Sequence, residues 1–381
     1  MTSRTPLIRI THIPPAQSHN PTSMFARQLV PAVSTAHIAR FAPLLPHCRT
    51  MSTQNKDITS WASKDGSFKR QASSFRDFIE PGGKFAPEKG RYHLYVSLAC
   101  PWAHRTLIVR KLKGLEDFLD VSVVHPHMLE GGWHFVPKDK ASAKPAPASA
   151  HDNDTFPNAT SDPLFGVSHL RDLYFKAQPD YSARFTVPVI WDKKENTIVN
   201  NESSEIIRFF NTAFNGELPA DKAKLDLYPE DLKKEIDALN DWVYNDINNG
   251  VYKSGFASTQ DAYEAAVKPL AKGLQKVEDR LSDGREFLMG DRLTEADVRL
   301  YTTIVRYDPV YYVHFKCNFG LIRHDYPNLH KWLQRLYWNN PAFKDTTDFD
   351  HIKEHYYYSH AQINPNRIVP FGPNVNIEPL K

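Results

Sequence analysis

Residues 91–114, RYHLYVSLACPWAHRTLIVRKLKG, decide the fold of this chain. The apolar run RYHLYVSL reads as a strand, and PWAHRTLIVRKLKG as the helix that follows it. Pro101 fits a first-turn position, because the N–H it lacks would have had no intrahelical partner there. Cys100 then sits at or just before the first turn. The free N–H groups and positive end of the helix face its sulfur, which predicts a lowered thiol pKa and a thiolate. Arg105 is expected to add positive charge one turn on. A dithiol oxidoreductase needs Cys-x-x-Cys, whereas this stretch reads Cys-Pro-Trp-Ala, with Ala103 in the second position. Such a cysteine can form a mixed disulfide and needs an external thiol to resolve it. The alternative for Cys100 is a buried structural cysteine. Cys317, in HFKCNFG, lacks this context and reads as structural.

Outward from that stretch, DVSVVHP, FTVPVIWD and TIVN read as strands and SSEIIRFFNTAF as a helix, so residues 91–214 predict an α/β layer fold. From about 232 to 343 apolar residues recur at helical spacing, as in LKKEIDALNDWVYNDINN, AYEAAVKPLAKGLQKVEDRLSD and LHKWLQRLYWN, which predicts an all-helical domain. We divide the chain into a leader (1–50), an α/β domain (51–215) with an inserted surface loop at about 137–165, a helical domain (216–345) and a C-terminal extension (346–381). The loop is rich in Pro, Ala, Ser and Asp. In DRLTEADVRLY, Thr294 and Asp297 have capping-box spacing, a folding device with no chemistry attached.

The chain has 381 residues and a formal charge of +3. Residues 1–50 hold five arginines (Arg4, Arg9, Arg27, Arg40, Arg49) and no Asp, Glu or Lys. That composition, with no secretory apolar core, predicts an organellar transit peptide and a mitochondrial location, a disordered tail being the alternative. Met51 opens a stretch of mixed charge and offers a second start for a cytoplasmic form. Without those five charges residues 51–381 carry −2, which argues for no nucleic-acid partner. No apolar run reaches membrane-spanning length, so no membrane partner is expected. Three cysteines, Cys48, Cys100 and Cys317, build neither a disulfide framework nor a four-thiolate zinc site. His351 and His355 stand four apart in HIKEHYYYSH, yet no third ligand completes a set, and no metal is expected.

Two further pieces point to a peptide-like ligand. A proline inside FTVPVIWD fits an edge or a bend, and a cis Val187-Pro188 bond would turn the Val187 backbone outward to pair with it. In IVNNESSEIIRFF, Glu202 and Ser203 precede a helix whose N–H groups can receive a carboxylate, while Glu202 accepts from an ammonium group. The alternative there is plain helix capping by Ser203.

Together with GGWHF, DWVYNDINNGVYKSGFA and RYDPVYYVHFKCN, these segments resemble the glutathione transferase superfamily, and specifically its Xi class, the glutathionyl-hydroquinone reductases. The resemblance runs from about residue 58 to 370. It implies a thioredoxin-like N-terminal domain followed by an all-α domain, glutathione as co-substrate and a homodimer. It also implies a reaction in which the Cys100 thiolate attacks a glutathionyl-hydroquinone at sulfur and a second glutathione resolves the mixed disulfide. By resemblance, the glutathione site comprises Trp133, Arg184, Phe185, Thr186, Val187, Glu202 and Ser203. Tyr252 is the implied proton donor, with Tyr311 and Tyr356 near the thiolate; Tyr357 and Tyr358 compete with Tyr356 for that place. The Pro/Ala/Ser stretch after GGWHF and the acid-free leader depart from the family pattern.

Three rival readings stay open: an Omega-like thioltransferase that strips glutathione from disulfides, a conjugating transferase using a Ser or Tyr hydroxyl, and a non-catalytic interaction module on the same fold.

Overall fold

The computed structural model describes residues 63, 65–140, 154–372 and 377–380. The expected leader, Met51, Cys48 and residues 141–153 of the expected loop lie outside the described residues.

A four-stranded sheet runs in the order β2-β1-β3-β4, from strands Tyr92–Val96 (β1), Leu119–Val123 (β2), Val189–Asp192 (β3) and Thr197–Asn200 (β4). β1 pairs parallel with β2 and antiparallel with β3, and β3 pairs antiparallel with β4. All five residues of β1 are buried, as a strand with neighbours on both edges requires. The helices of this half are Pro101–Leu112 (α1), Leu170–Ala177 (α2) and Ser203–Thr212 (α3). This is the thioredoxin-like arrangement, and α2 is an element that the periodicity did not reveal.

β3 begins only at Val189; Phe185 to Pro188 of the expected strand lie outside it. Pro188 has no N–H for a ladder, and the Val187–Pro188 peptide is cis.

Among the described residues the second half holds helices and no strand: Ala220–Lys224 (α4), Lys233–Trp242 (α5), Gly250–Gly255 (α6), Gln260–Leu281 (α7), Glu295–Ile304 (α8), Ile322–Asp325 (α9), Pro327–Asn339 (α10), Pro341–Lys344 (α11) and Phe349–Ser359 (α12). Two π-helical turns interrupt it, Val243–Asn248 between α5 and α6 and Tyr307–Tyr311 after α8. The capping box is formed: the Thr294 side chain takes an N–H of the first turn of α8, and Asp297 Oδ2 takes the Thr294 N–H at 3.0 Å. No described helix is long and apolar enough to cross a membrane.

α1 packs on α3 of its own half and on α8 and α11 of the other. Nine of its twelve residues are buried, including His104 and Arg105, so it is covered nearly all round. Its N-terminus, where Cys100 sits, therefore opens at the junction of the two halves.

The described end of the inserted loop is not merely surface. Phe156 is buried against His125 and His351. Asp162, also buried, accepts the Tyr95 hydroxyl at 2.8 Å and the backbone N–H groups of Leu164, Phe165 and Val167. Buried polar groups need such partners, and here the loop provides them for the sheet.

Candidate active site

Cys100 is the N-cap of α1, with Pro101 at the first helical position. Its side chain is half-buried. Cys100 brings no side-chain oxygen to cap this helix, and the N–H groups of Trp102 and Ala103 face the sulfur. As a thiol, Cys100 donates to the Val187 carbonyl at 3.6 Å, so the backbone before β3 meets the sulfur directly.

The expected lowering of this thiol's pKa is overturned. Burial pushes the Cys100 thiol above its ordinary value, and the Ala103 and Trp102 N–H groups and the charges of Arg306 and Arg70 only partly oppose it. Desolvation of a thiolate at a domain junction outweighs one helix terminus. Nor is Arg105 the nearby cation. Its guanidinium turns away to the Asn248 side chain (2.9 Å) and the Arg299 carbonyl (3.3 Å), and lies 4.5 Å from the centre of the Trp102 ring.

Three tyrosines from three separate elements meet. The Tyr356 hydroxyl, from α12, hydrogen-bonds both the Tyr252 hydroxyl of α6 and the Tyr311 hydroxyl of the second π turn, the latter at 2.9 Å. Burial raises the Tyr252 pKa, and the charge of a Cys100 thiolate raises it further. All three phenols are held above their ordinary range, chiefly by burial, so they remain donors at neutral pH. Tyr357 instead donates to the Pro309 carbonyl at 3.1 Å, and Tyr358 stacks on His127 at 3.6 Å between ring centres. Rings of Phe68, Trp102, Phe256 and Phe315 surround Tyr252, giving an aromatic wall around this phenol. Both π turns adjoin these tyrosines, a placement π turns often have at functional sites.

The residues assigned to a glutathione site occupy three nearby segments. Trp133 is buried and stacks on His355 of α12 at 4.7 Å; His355 is itself fixed to the Pro126 carbonyl at 2.8 Å. Phe185 packs among Tyr174, Phe175 and Tyr181, and the Thr186 carbonyl accepts the Tyr174 hydroxyl at 2.7 Å. The Arg184 guanidinium is held below its usual range by burial and by the like charge of Arg70. Glu202, not Ser203, is the N-cap of α3: Oε1 accepts the Ser204 N–H at 3.1 Å and its hydroxyl at 2.9 Å, and Oε2 accepts the Ser73 hydroxyl at 3.0 Å. Burial opposes ionisation of Glu202, but those donors and the Arg105 charge outweigh it and hold the carboxyl below its usual range. Ser203 is buried as the first helical residue.

Arg70 and Arg306 have no counterpart in the sequence reading. Arg70 is exposed; its Nε donates to Asn249 Oδ1 at 2.9 Å, and its guanidinium lies 4.4 Å from the Trp102 ring centre and 5.3 Å from that of Tyr252. No local pattern marks it. Arg306 is fully buried, and its one sequence signal is a charge inside the apolar run TTIVRY.

His351 and His355 do not face a shared ligand. His351 Nε2 lies 2.5 Å from the Pro157 carbonyl, away from the Pro126 carbonyl that holds His355. Cys317 is buried and contacts the Phe315 carbonyl.

Two family descriptions match: Glutathione S-transferase, N-terminal domain, over residues 99–213, and Glutathione S-transferase, C-terminal domain, over residues 260–335. Among solved structures, the glutathione-S-transferase Xi from Phanerochaete chrysosporium is 62% identical with a TM-score of 0.78, over 84% of this chain and 97% of that one. The chain belongs to the Xi class of the glutathione transferases. This Xi chain is also similar to the Xi transferase ECM4 of Saccharomyces cerevisiae, solved in complex with glutathione, at 50% identity and a TM-score of 0.78 over 83% of this chain and 99% of that one. Curated relatives of this Xi-class chain carry two kinds of name. Glutathione S-transferase omega-like 2 of Schizosaccharomyces pombe is 58% identical over 85% of this chain and 99% of its own length. Glutathionyl-hydroquinone reductase YqjG of Escherichia coli is 51% identical over 82% and 90%.

Proposed function

We propose that this Xi-class chain reduces S-glutathionyl-hydroquinones with glutathione. The Cys100 thiolate attacks the glutathionyl sulfur of the substrate, and the carbon–sulfur bond breaks. Its electron pair goes to the ring carbon, which takes a proton delivered by Tyr252, so hydroquinone leaves and Cys100 keeps glutathione as a mixed disulfide. A second glutathione thiolate attacks the bound glutathionyl sulfur, forming oxidised glutathione and returning the Cys100 thiolate. The proton withdrawn from Tyr252 is replaced through the hydroxyl chain of Tyr356 and Tyr311. Glutathione sits along Trp133, Arg184 to Val187, Glu202 and Ser203.

The observation that carries this reading is a chain of three phenols inside an aromatic wall, within electrostatic reach of Cys100. A thioltransferase acting on disulfides needs the sulfur alone; protonation of a carbon leaving group needs a donor beside it. The named relatives support both activities in part, since one is called a hydroquinone reductase and another omega-like.

Intact-mass spectrometry after incubation with a glutathionylated hydroquinone tests the cycle. The expected result is one added glutathione on the wild type, absent from Cys100→Ser and removed by fresh glutathione, with free hydroquinone produced. No adduct and no hydroquinone would overturn the proposal.

A further inference from the structure

Arg306 is a buried cation with no carboxylate partner among the described residues. Four of its five N–H donors are satisfied, all by neutral acceptors. Nε donates to the Ala99 carbonyl at 2.9 Å, Nη2 to the Leu98 carbonyl at 3.0 Å, and Nη1 to the Thr302 carbonyl at 2.7 Å and to His104 Nδ1 at 3.0 Å. An arginine only donates. His104 Nδ1 therefore accepts, and its Nε2 carries the proton and donates to Thr346 Oγ1 at 2.9 Å. Burial and the Arg306 charge keep His104 far below its ordinary pKa, so it stays neutral.

A desolvated charge without a countercharge is costly, and it persists where an anion forms beside it. The two carbonyls it grips belong to the residues immediately before Cys100. We infer that Arg306 is a positioning residue by which the helical domain fixes the Cys100 loop and provides the countercharge of its thiolate. This rests on the reading of Cys100 as the nucleophile and extends it: α1 supplies the N–H groups, while the charge comes from the other half of the molecule. The groups in contact with the sulfur are the Trp102 and Ala103 N–H of its own helix and the Val187 carbonyl before β3; those whose charge acts on it are Arg70 of the N-terminal segment, Arg306 and Tyr252 of α6, which is hydrogen-bonded through Tyr356 to Tyr311. Of the two cations only Arg306 is shielded from water and salt. Its charge also acts on Tyr311 and Tyr356.

The test is the pH dependence of Cys100 alkylation by iodoacetamide, read peptide by peptide in wild type, Arg306→Lys and Arg306→Gln. The wild-type midpoint is expected above that of a free thiol. Arg306→Gln should raise it further by about one pH unit or more, and Arg306→Lys should keep it near wild type. Hydroquinone turnover lost in Arg306→Gln should recover as pH rises, which damage to packing alone would not do. An Arg306→Gln midpoint equal to wild type overturns the inference.

Should Arg306→Gln fail to fold, Arg70→Gln and a salt series on the wild type decide. A midpoint that climbs by about one unit with salt or in Arg70→Gln assigns the countercharge to the exposed arginine, because only exposed charges are screened. A midpoint steady in both supports Arg306. Alkylation is read without turnover, so absence of hydroquinone release from the wild type would sink the proposed reaction and leave this result standing.

Discussion

Two helix N-termini in this chain are built from the same geometry and put to opposite uses. At α8, Asp297 accepts the Thr294 N–H and hydroxyl, the Leu288 N–H at 2.8 Å and Trp332 Nε1–H at 2.9 Å, and the Thr294 side chain takes a first-turn N–H. That terminus is closed and ties α8 to α10. At α1 the N-cap residue brings no side-chain oxygen, and the N–H groups of Trp102 and Ala103 face a sulfur that can become an anion. The end whose donors are consumed is scaffold, and the end whose donors are left to a titratable atom is a site. At the N-terminus of α3, the N-cap Glu202 occupies the Ser204 N–H.

The contrast can be broken by substitution at either end. The largest effect is expected from Cys100→Ser, which should lower hydroquinone release by about 1,000-fold or more while the thermal transition stays close to wild type. A large loss of stability would make α1 a scaffold end after all. Asp297→Ala should act in the opposite sense. It strands three buried N–H donors, from Leu288, Thr294 and Trp332, and should cost about 3 kcal/mol or more in denaturant unfolding, with the alkylation midpoint of Cys100 little changed in the folded fraction. Tyr252→Phe sharpens the site side: it should slow hydroquinone release by about 100-fold yet spare reduction of a glutathione mixed disulfide, whose leaving thiolate needs no proton on carbon. Equal loss on both substrates would turn the reading toward the thioltransferase. Thr294→Ala should show the smallest change, about 1 kcal/mol of stability, with turnover per folded molecule unaltered.

Cys317 bears on the same lesson. It is buried, and burial pushes its thiol up, only partly opposed by the Ser254 hydroxyl and the Lys316 charge. In the native protein it should resist the iodoacetamide that modifies Cys100.

What the sequence by itself determined was local. The strand-to-helix switch at Cys100, the proline in the first turn, the Thr294–Asp297 box and the break in FTVPVIWD at Val187-Pro188 each follow from backbone donors and φ preferences within a few residues. The motif order also carried the family and the division into a thioredoxin-like half and a helical half. Tertiary structure decided the rest. Tyr356 was separated from Tyr357 and Tyr358 only by what α12 packs against. The N-cap of α3 is Glu202 rather than Ser203, and Ser73, far away in sequence, holds the other oxygen of its carboxylate. The thiol pKa moved up rather than down, since desolvation depends on everything packed around the sulfur, and a helix terminus is only one contribution to that field. Arg306 shows the limit most clearly: its guanidinium grips a loop more than 200 positions away in the chain. Such a contact has no periodicity or motif to announce it, because it exists only once two domains have closed on each other.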